Sequence, residues 1–442
     1  MIGARYGIAI SLAVVAMASG LANCGGGGGS TVSSGSSSSS SSTITASYTA
    51  QNTVSLMSLS TSEMAPTISA PVTLSDGTLI VPSVQKNANH WDLQVQAFTD
   101  RSAPIGNAVV VTSADTSGFV MSTRVLLPMS GGGLVAVQDS NVSDHLVFQR
   151  VAYGGNAGSA DFSIPVSGGA QRFIPLKNNS FAAIFNDSAT FTAAGKFTPS
   201  VQFYDSLTGT GGTPFLIPAN WATDHTDGFA APLSTGGFVI SWCDQCYSSA
   251  YKPPFTLYVQ TYDDSGQALI SPVSVVVGSE TNPITGGQVF GLRDGGFGVI
   301  WNESTLATSG NVTPNAMSTK IRFRLYRADG TPTTAVLTLG PETETRQFQA
   351  VAVLSTGRIA VLWSSVPVSA LGRSTPNYRV DVVDTSGIQI GTSVEVAAPS
   401  DTSVSQGSLV ARPNGGMAIL WQETVLGFCM PCRQNLRLLD PK

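Results

Sequence analysis

Charge is scarce in this 442-residue chain: only 11% of its residues are Asp, Glu, Lys or Arg. The 22 basic and 27 acidic residues leave a net charge of −5 with no basic stripe, which argues against nucleic acid as a partner. With 3 histidines and 5 cysteines, there is little material for a metal centre or an activated nucleophile. The N-terminal apolar run, residues 7–18, is twelve residues long, short of the roughly 20 needed to cross a bilayer. Turn formers and apolar residues are plentiful instead. There are 46 Gly and 24 Pro, and 42% of the chain is hydrophobic. That is too apolar for a disordered protein and too rich in turns for a helical one.

Residues 1–23 read as an export signal, with Arg5 as the positive flank of the apolar run. Leu21-Ala22-Asn23-Cys24 follows, and then a Gly/Ser tract over residues 25–42. These four residues resemble the lipobox of bacterial lipoproteins, which implies that Cys24 is lipidated and becomes the first mature residue. Asn23 stands where that pattern has Gly, Ala or Ser, so ordinary secretory cleavage after Ala18 or Ala22 stays open. By the same resemblance, Gly25 in place of Asp after the cysteine implies sorting to the outer membrane. The Gly/Ser tract has nothing to bury and is expected to be a disordered tether, with a root-mean-square reach of about 23 Å. The expected division is therefore signal peptide 1–23, lipidated cysteine and tether 24–43, and folded module 44–442.

That module repeats. Two small turn residues, alternating apolar residues and Trp occur as GGFVISW (236–242), GGFGVIW (295–301), GRIAVLW (357–363) and GGMAILW (415–421). Weaker copies are DGTLIVP (76–82), GGLVAVQ (132–138) and NSFAAIF (179–185). Successive copies are 56, 47, 57, 59, 62 and 58 residues apart. A second phrase follows each one, as in PSVQFYDS (199–206), LYVQTYDDSG (257–266), IRFRLYRADG (321–330) and YRVDVVDTSG (378–387). Alternation of Val, Ile, Phe and Tyr, punctuated by Gly and Asp-Gly, is the signal of strands and hairpins. Four strands per unit and seven units predict an all-β fold, a seven-bladed β-propeller of four-stranded antiparallel blades. A row of β-sandwich domains needs about 100 residues per module, so the period excludes it. The last unit stops at Lys442 without a fourth strand, and residues 52–58 have the pattern of one. An N-terminal strand is thus expected to complete blade 7 and close the ring. The two phrases together resemble the GG-apolar-Trp repeats of large secreted bacterial proteins, which implies fold and export but no chemistry.

Propeller topology sorts the connections. Those between second and third strands, at 82–91, 186–196, 243–256, 302–319, 364–377 and 422–434, are long and dissimilar, and they share one face with the blade-to-blade links. Long variable loops on a rigid scaffold usually carry function, so that face is the candidate surface. Trp242, Trp301, Trp363 and Trp421 recur at one register and read as packing between blades rather than as ligand platforms. Cys243/Cys246 and Cys429/Cys432 form two CxxC pairs on blades 4 and 7. Seven blades about 10 Å apart give a ring about 22 Å across at mid-radius, too wide for the two pairs to share a metal. Two local disulfides are expected instead, and no metal or other cofactor. Trp221, Asp224, His225 and Asp227, with Tyr247 and Tyr251, form the one cluster whose side chains suit a sugar, a cation or hydrolysis, and the plainer reading of it is a polar loop with a half-buried Trp. His90-Trp91-Asp92 reads as a loop end entering a strand.

The expected function is a membrane-anchored extracytoplasmic binding module on the bacterial cell envelope. It is expected to be a monomer, with an unknown protein or glycan as ligand and no catalytic residues assigned. The alternatives are a carbohydrate-binding or carbohydrate-active propeller, and a scaffold in an envelope assembly complex.

Overall fold

The computed structural model describes residues 48–51, 53–58, 70–87, 90–99, 103–115, 123–129, 132–138, 145–152, 157–165, 170–186, 196–197, 199–217, 221–222, 229–244, 255–279, 281–306, 316–339, 344–367, 377–396, 402–425 and 433–441. The expected signal peptide, Cys24 and the expected tether lie outside them.

Seven four-stranded antiparallel sheets follow one another along the chain. Blade 1 comprises Val72–Thr73, Leu79–Asn87, His90–Phe98 and Pro104–Asp115. Blade 2 comprises Thr123–Met129, Gly132–Gln138, His145–Ala152 and Ala157–Pro165. Blade 3 is built from Ala170–Pro175, Ser180–Asn186, Pro199–Asp205 and Phe215–Leu216. Blade 4 is built from Phe229–Pro232, Phe238–Asp244, Phe255–Tyr262 and Val273–Gly278. Ile284–Gly291, Phe297–Leu306, Ala316–Tyr326 and Leu337–Leu339 make blade 5. Glu344–Val353, Ile359–Pro367, Asn377–Val383 and Val394–Val396 make blade 6. Blade 7 has Thr402–Ala411, Met417–Val425 and Arg433–Pro441, and takes its outer strand from the N-terminus. Tyr48 pairs with Pro441 and Ala50 with Leu439, and then Val54 pairs with Leu436 and Ser58 with Arg433. The clasp therefore begins four residues earlier than the sequence pattern indicated. Each first strand touches that of the next blade, and blade 7 touches blade 1, so the first strands form a closed inner ring.

Side chains alternate between the two neighbours of a blade, and this explains why the first phrase is apolar at almost every position. Phe238, Ile240 and Trp242 pack against blade 3, while Val239 packs against blade 5. Among the described residues every gap between adjacent blades holds one such apolar cluster. The four repeat tryptophans are buried in these gaps, at 5% exposure or less. Burying each large apolar side chain contributes about 1.5–3 kcal/mol, and ring closure covers the blade faces that an open array would leave bare.

The second phrase locks the outer half of the blade. Tyr262 stacks on Phe238 at 5.2 Å, Tyr326 on Phe297 at 5.1 Å and Tyr204 on Phe181 at 5.4 Å. Gln260 donates to the Ile270 carbonyl at 2.9 Å and accepts from the Tyr262 hydroxyl, and Gln202 does the same with Gly212 and Tyr204. The second glycine of the first phrase is required by close approach. A Cβ on Gly237, Gly296 or Gly416 would lie 2.0, 2.3 or 2.4 Å from a third-strand carbonyl oxygen.

Candidate functional site

Antiparallel order gives the ring two unlike faces. On one, the third and fourth strands are joined by tight turns whose aspartates accept backbone N–H groups. Asp263 Oδ1 takes Ser265 at 2.8 Å and Gln267 at 2.9 Å, and Asp384 Oδ1 takes Ser386 and Ile388 at 2.9 Å. Asp205 caps Leu207 and Thr208 in the same way, and Asp329 caps Thr331. These bonds stabilise the ionised form, so all four carboxyls sit below the ordinary carboxylate range. The backbone Thr208 bond dominates for Asp205, the Ser265 hydroxyl for Asp263 and the backbone Thr331 bond for Asp329. At Asp384 burial pushes the other way and is outweighed by the bonds to Ser386 and Ile388.

The opposite face carries the second-to-third connections. They are shorter than the sequence pattern implied, because the strands run on beyond the body of the blade. Phe297–Leu306 and Ala316–Tyr326 stay paired as far as Leu306↔Ala316, and Ile359–Pro367 and Asn377–Val383 as far as Ser365↔Asn377. In blade 1 the expected loop at 82–91 is instead a continuous hairpin, with Asn87 opposite His90. Polar residues on these extensions hid them, since Asn302, Ser304, Ser364 and Gln422 interrupt the apolar alternation and yet are buried.

Trp221 is on this face. Trp221–Ala222 pairs with Lys196–Phe197 as a two-stranded ribbon, joining the long connection of blade 3 to the link into blade 4. The ribbon lies beside Phe238–Asp244, the strand that carries Cys243. Cys243 is partly buried against the gap between blades 4 and 5 and is disulfide-bonded. Asp224, His225, Asp227, Tyr247, Tyr251, Cys246, Cys429 and Cys432 lie outside the described residues. Among the described residues no three potential metal ligands come together.

Three features escaped the sequence pattern. At the tip of blade 1, Asp92 is buried and accepts from Asn87 Nδ2 and Ser113 Oγ, and His90 Nε2 lies 3.3 Å from its Oδ1. The residues 90–92 were legible as a loop end, but their partners Asn87 and Ser113 come from two other strands. Between blades 5 and 6, Arg346 is buried with its guanidinium 4.4 Å from the Trp363 ring centre, and it donates to the Leu339 carbonyl. Asp381 is buried in the same gap, where desolvation raises its pKa although Ser393 and Arg346 oppose that. Arg346 shares its strand with Glu344, Thr345, Gln347 and Gln349, so nothing in the sequence pattern singled it out. Third, the inner strands of five blades carry a register shift near the repeat-Trp position, at Arg124, Gln171, Gly286, Gln349 and Gln406. Bulges of this kind bend the strand and re-aim side chains. Around two of them, in residues 285–288 and 402–408, the sequence is rich in Ser, Thr, Gly and Gln.

No family model and no curated protein matches the sequence. Among solved structures the chain is similar to the polysaccharide lyase Uly1, at 10% identity over 86% of this chain and 91% of that one, with a TM-score of 0.52. It is also similar to an ulvan lyase of family PL25 (9% identity, 86% and 97% covered, TM-score 0.49) and to the α-L-arabinofuranosidase Arb93A of Fusarium graminearum (12%, 86% and 98%, 0.42). At such identities the likeness to Uly1 is one of fold, and the two lower scores carry no argument.

Proposed function

We propose that this protein is a lipid-anchored extracytoplasmic binding module of the bacterial cell envelope whose ligand face is the one bearing the long second-to-third connections. The difference between the two faces carries the reading. One is closed by short, aspartate-capped turns repeated from blade to blade, while the other projects two-stranded ribbons of unequal length and sequence. A rigid frame with one variable face is the usual arrangement for recognition. In this reading Cys243 pairs with Cys246, and Cys429 with Cys432, each bridge bracing the root of one connection.

A glycan is the second reading for the ligand. The Trp221 ribbon beside the Cys243 strand favours it, since tryptophan is a side chain suited to the apolar face of a sugar and this one belongs to a connection on the variable face. A fold shared with a polysaccharide lyase adds weak support by analogy. The test is a microarray of neutral and uronic-acid-containing oligosaccharides probed with the detergent-solubilised protein. Binding that falls at least tenfold in Trp221→Ala, with an unchanged melting temperature, supports a glycan on this face. Binding that survives Trp221→Ala but is blocked by a polymer attached at Ala268, on the turn face, overturns the choice of face. No signal from any glycan removes the second reading and leaves a protein ligand.

A further inference from the structure

The route by which the chain enters the ring decides which face an N-terminal anchor holds. The clasp is antiparallel to Arg433–Pro441, with Tyr48 opposite Pro441 and Ser58 opposite Arg433. Arg433 begins the third strand of blade 7, at the long-connection face, and Pro441 ends it, at the tight-turn face. The chain therefore joins the propeller at the tight-turn face and climbs toward the other. The joining point is pinned there. The Gln51 N–H donates to the Leu438 carbonyl at 2.9 Å, and its side-chain amide donates to the Asp440 carboxylate. Asp440 also takes Nη1 of the buried Arg412 and, at 3.0 Å, Nδ2 of Asn414. Arg437 Nε donates to the Gln51 carbonyl at 3.3 Å. Tension on the N-terminal segment is taken up by this cluster before it reaches Val54–Ser58.

We propose that the tight-turn face is the membrane-proximal face of the protein and that the long-connection face is held away from the lipid, toward its ligand. The proposal rests on the N-terminal anchoring in the functional reading above, and it says which way the module points. Cys24 and Tyr48 are 24 residues apart, which gives a root-mean-square span of about 27 Å for a Gly/Ser-rich coil. The nine residues of Arg433–Pro441 stand about 30 Å tall at about 3.3 Å per residue. To bring the long-connection face down to the membrane, the tether must span that height and the ribbons above it. For a flexible chain of this length such a stretch lowers the population by roughly tenfold relative to the upright orientation. The bias comes from connectivity and needs no attraction between protein and lipid.

Energy transfer to a headgroup-labelled lipid tests it. Ala268 and Thr281 are exposed at opposite ends of blade 4, Ala268 just after its tight turn and Thr281 in the link into blade 5. A donor fluorophore is placed at one position or the other in the full-length lipidated protein, reconstituted in phosphatidylethanolamine–phosphatidylglycerol vesicles. Transfer at least twofold more efficient from position 268 than from 281 is expected. Equal or reversed efficiencies overturn the orientation. A second arm replaces residues 1–24 with a hexahistidine segment on nickel-chelating vesicles and repeats both measurements. If the first preparation does not bind vesicles while the second shows the asymmetry, the lipid anchor is wrong and the polarity stands. If both bind and neither shows it, the polarity is wrong.

Discussion

At the level of single residues, each letter of the two repeated phrases has a mechanical task. In blade 4, Phe238 and Tyr262 stack, Gln260 pins the fourth strand to the third, Asp263 caps the turn, and Gly266 lets that turn close against Phe215 of the preceding blade. The paired glycines of the first phrase separate two physical demands, because blade 6 keeps only the first of them. Gly357 has φ +82° with nothing within 4 Å of the point a Cβ would occupy, so Gly357→Ala meets backbone strain alone. Gly237 has φ +75° and would also place its Cβ 2.0 Å from the Tyr262 carbonyl oxygen, a backbone atom that cannot rotate away. Strain of the first kind costs about 1–2 kcal/mol. The added clash should bring Gly237→Ala to about 3 kcal/mol or more. Urea midpoints of the two variants compare them directly, and equal losses would show that the third strand yields freely at this turn.

At the level of strands and blades, most of the architecture was legible because packing repeats. The GG-apolar-Trp phrase fixes a second strand buried on both sides, the Gln-x-aromatic phrase fixes a third, and their spacing fixes the blade. What escaped were the strand extensions and the first half of the clasp. Residues 302–306 and 83–87 pair as strands while carrying Asn, Ser, Gln and Lys, so a reading based on hydrophobic alternation stopped too soon. Tyr48–Ala50 is a strand of three residues, too short to show a period of two. Its pairing matters for stability all the same, since the clasp covers the outer edge of blade 7 along Arg433–Pro441 and Leu56 packs into the gap between blades 7 and 1. Deleting residues 43–60 exposes that edge and breaks the Gln51–Asp440 contact. Deleting residues 25–42 removes a stretch that is Gly and Ser apart from Thr31 and Val32, with little side chain to bury. Melting curves should show the clasp deletion unfolding many degrees lower or aggregating, and the tether deletion matching the parent. Equal melting temperatures would mean that blade 7 is stable without its outer strand.

For the whole molecule, the sequence speaks clearly about scaffold and faintly about ligand, for one physical reason. Positions that repeat do so because every blade meets the same neighbours, whereas a recognition surface differs from blade to blade and leaves no period to find. Trp221 was singled out only through its sequence neighbours Asp224, His225 and Asp227, which follow no repeat. The Asp92 and Arg346–Asp381 groups were not legible, since their partners come from separate strands and, for the Leu339 carbonyl, from the preceding blade. The address has a single-residue test. If Cys24 carries the acyl chains, Cys24→Ser removes that hydrophobic attachment while leaving the propeller untouched, because residue 24 is far outside the region from Tyr48 to Pro441 that makes up the ring. One acyl chain gives only marginal, reversible membrane binding, so stable anchoring requires the multiple chains that a lipoprotein cysteine supplies. The variant should therefore move from the membrane fraction to the periplasm or the medium, with the melting temperature of the purified module unchanged. A Cys24→Ser protein that still sediments with membranes would show that the chain is held there by something other than its N-terminal lipid. The tether would then no longer set the orientation of the module, and its membrane contact would have to be sought on the propeller itself.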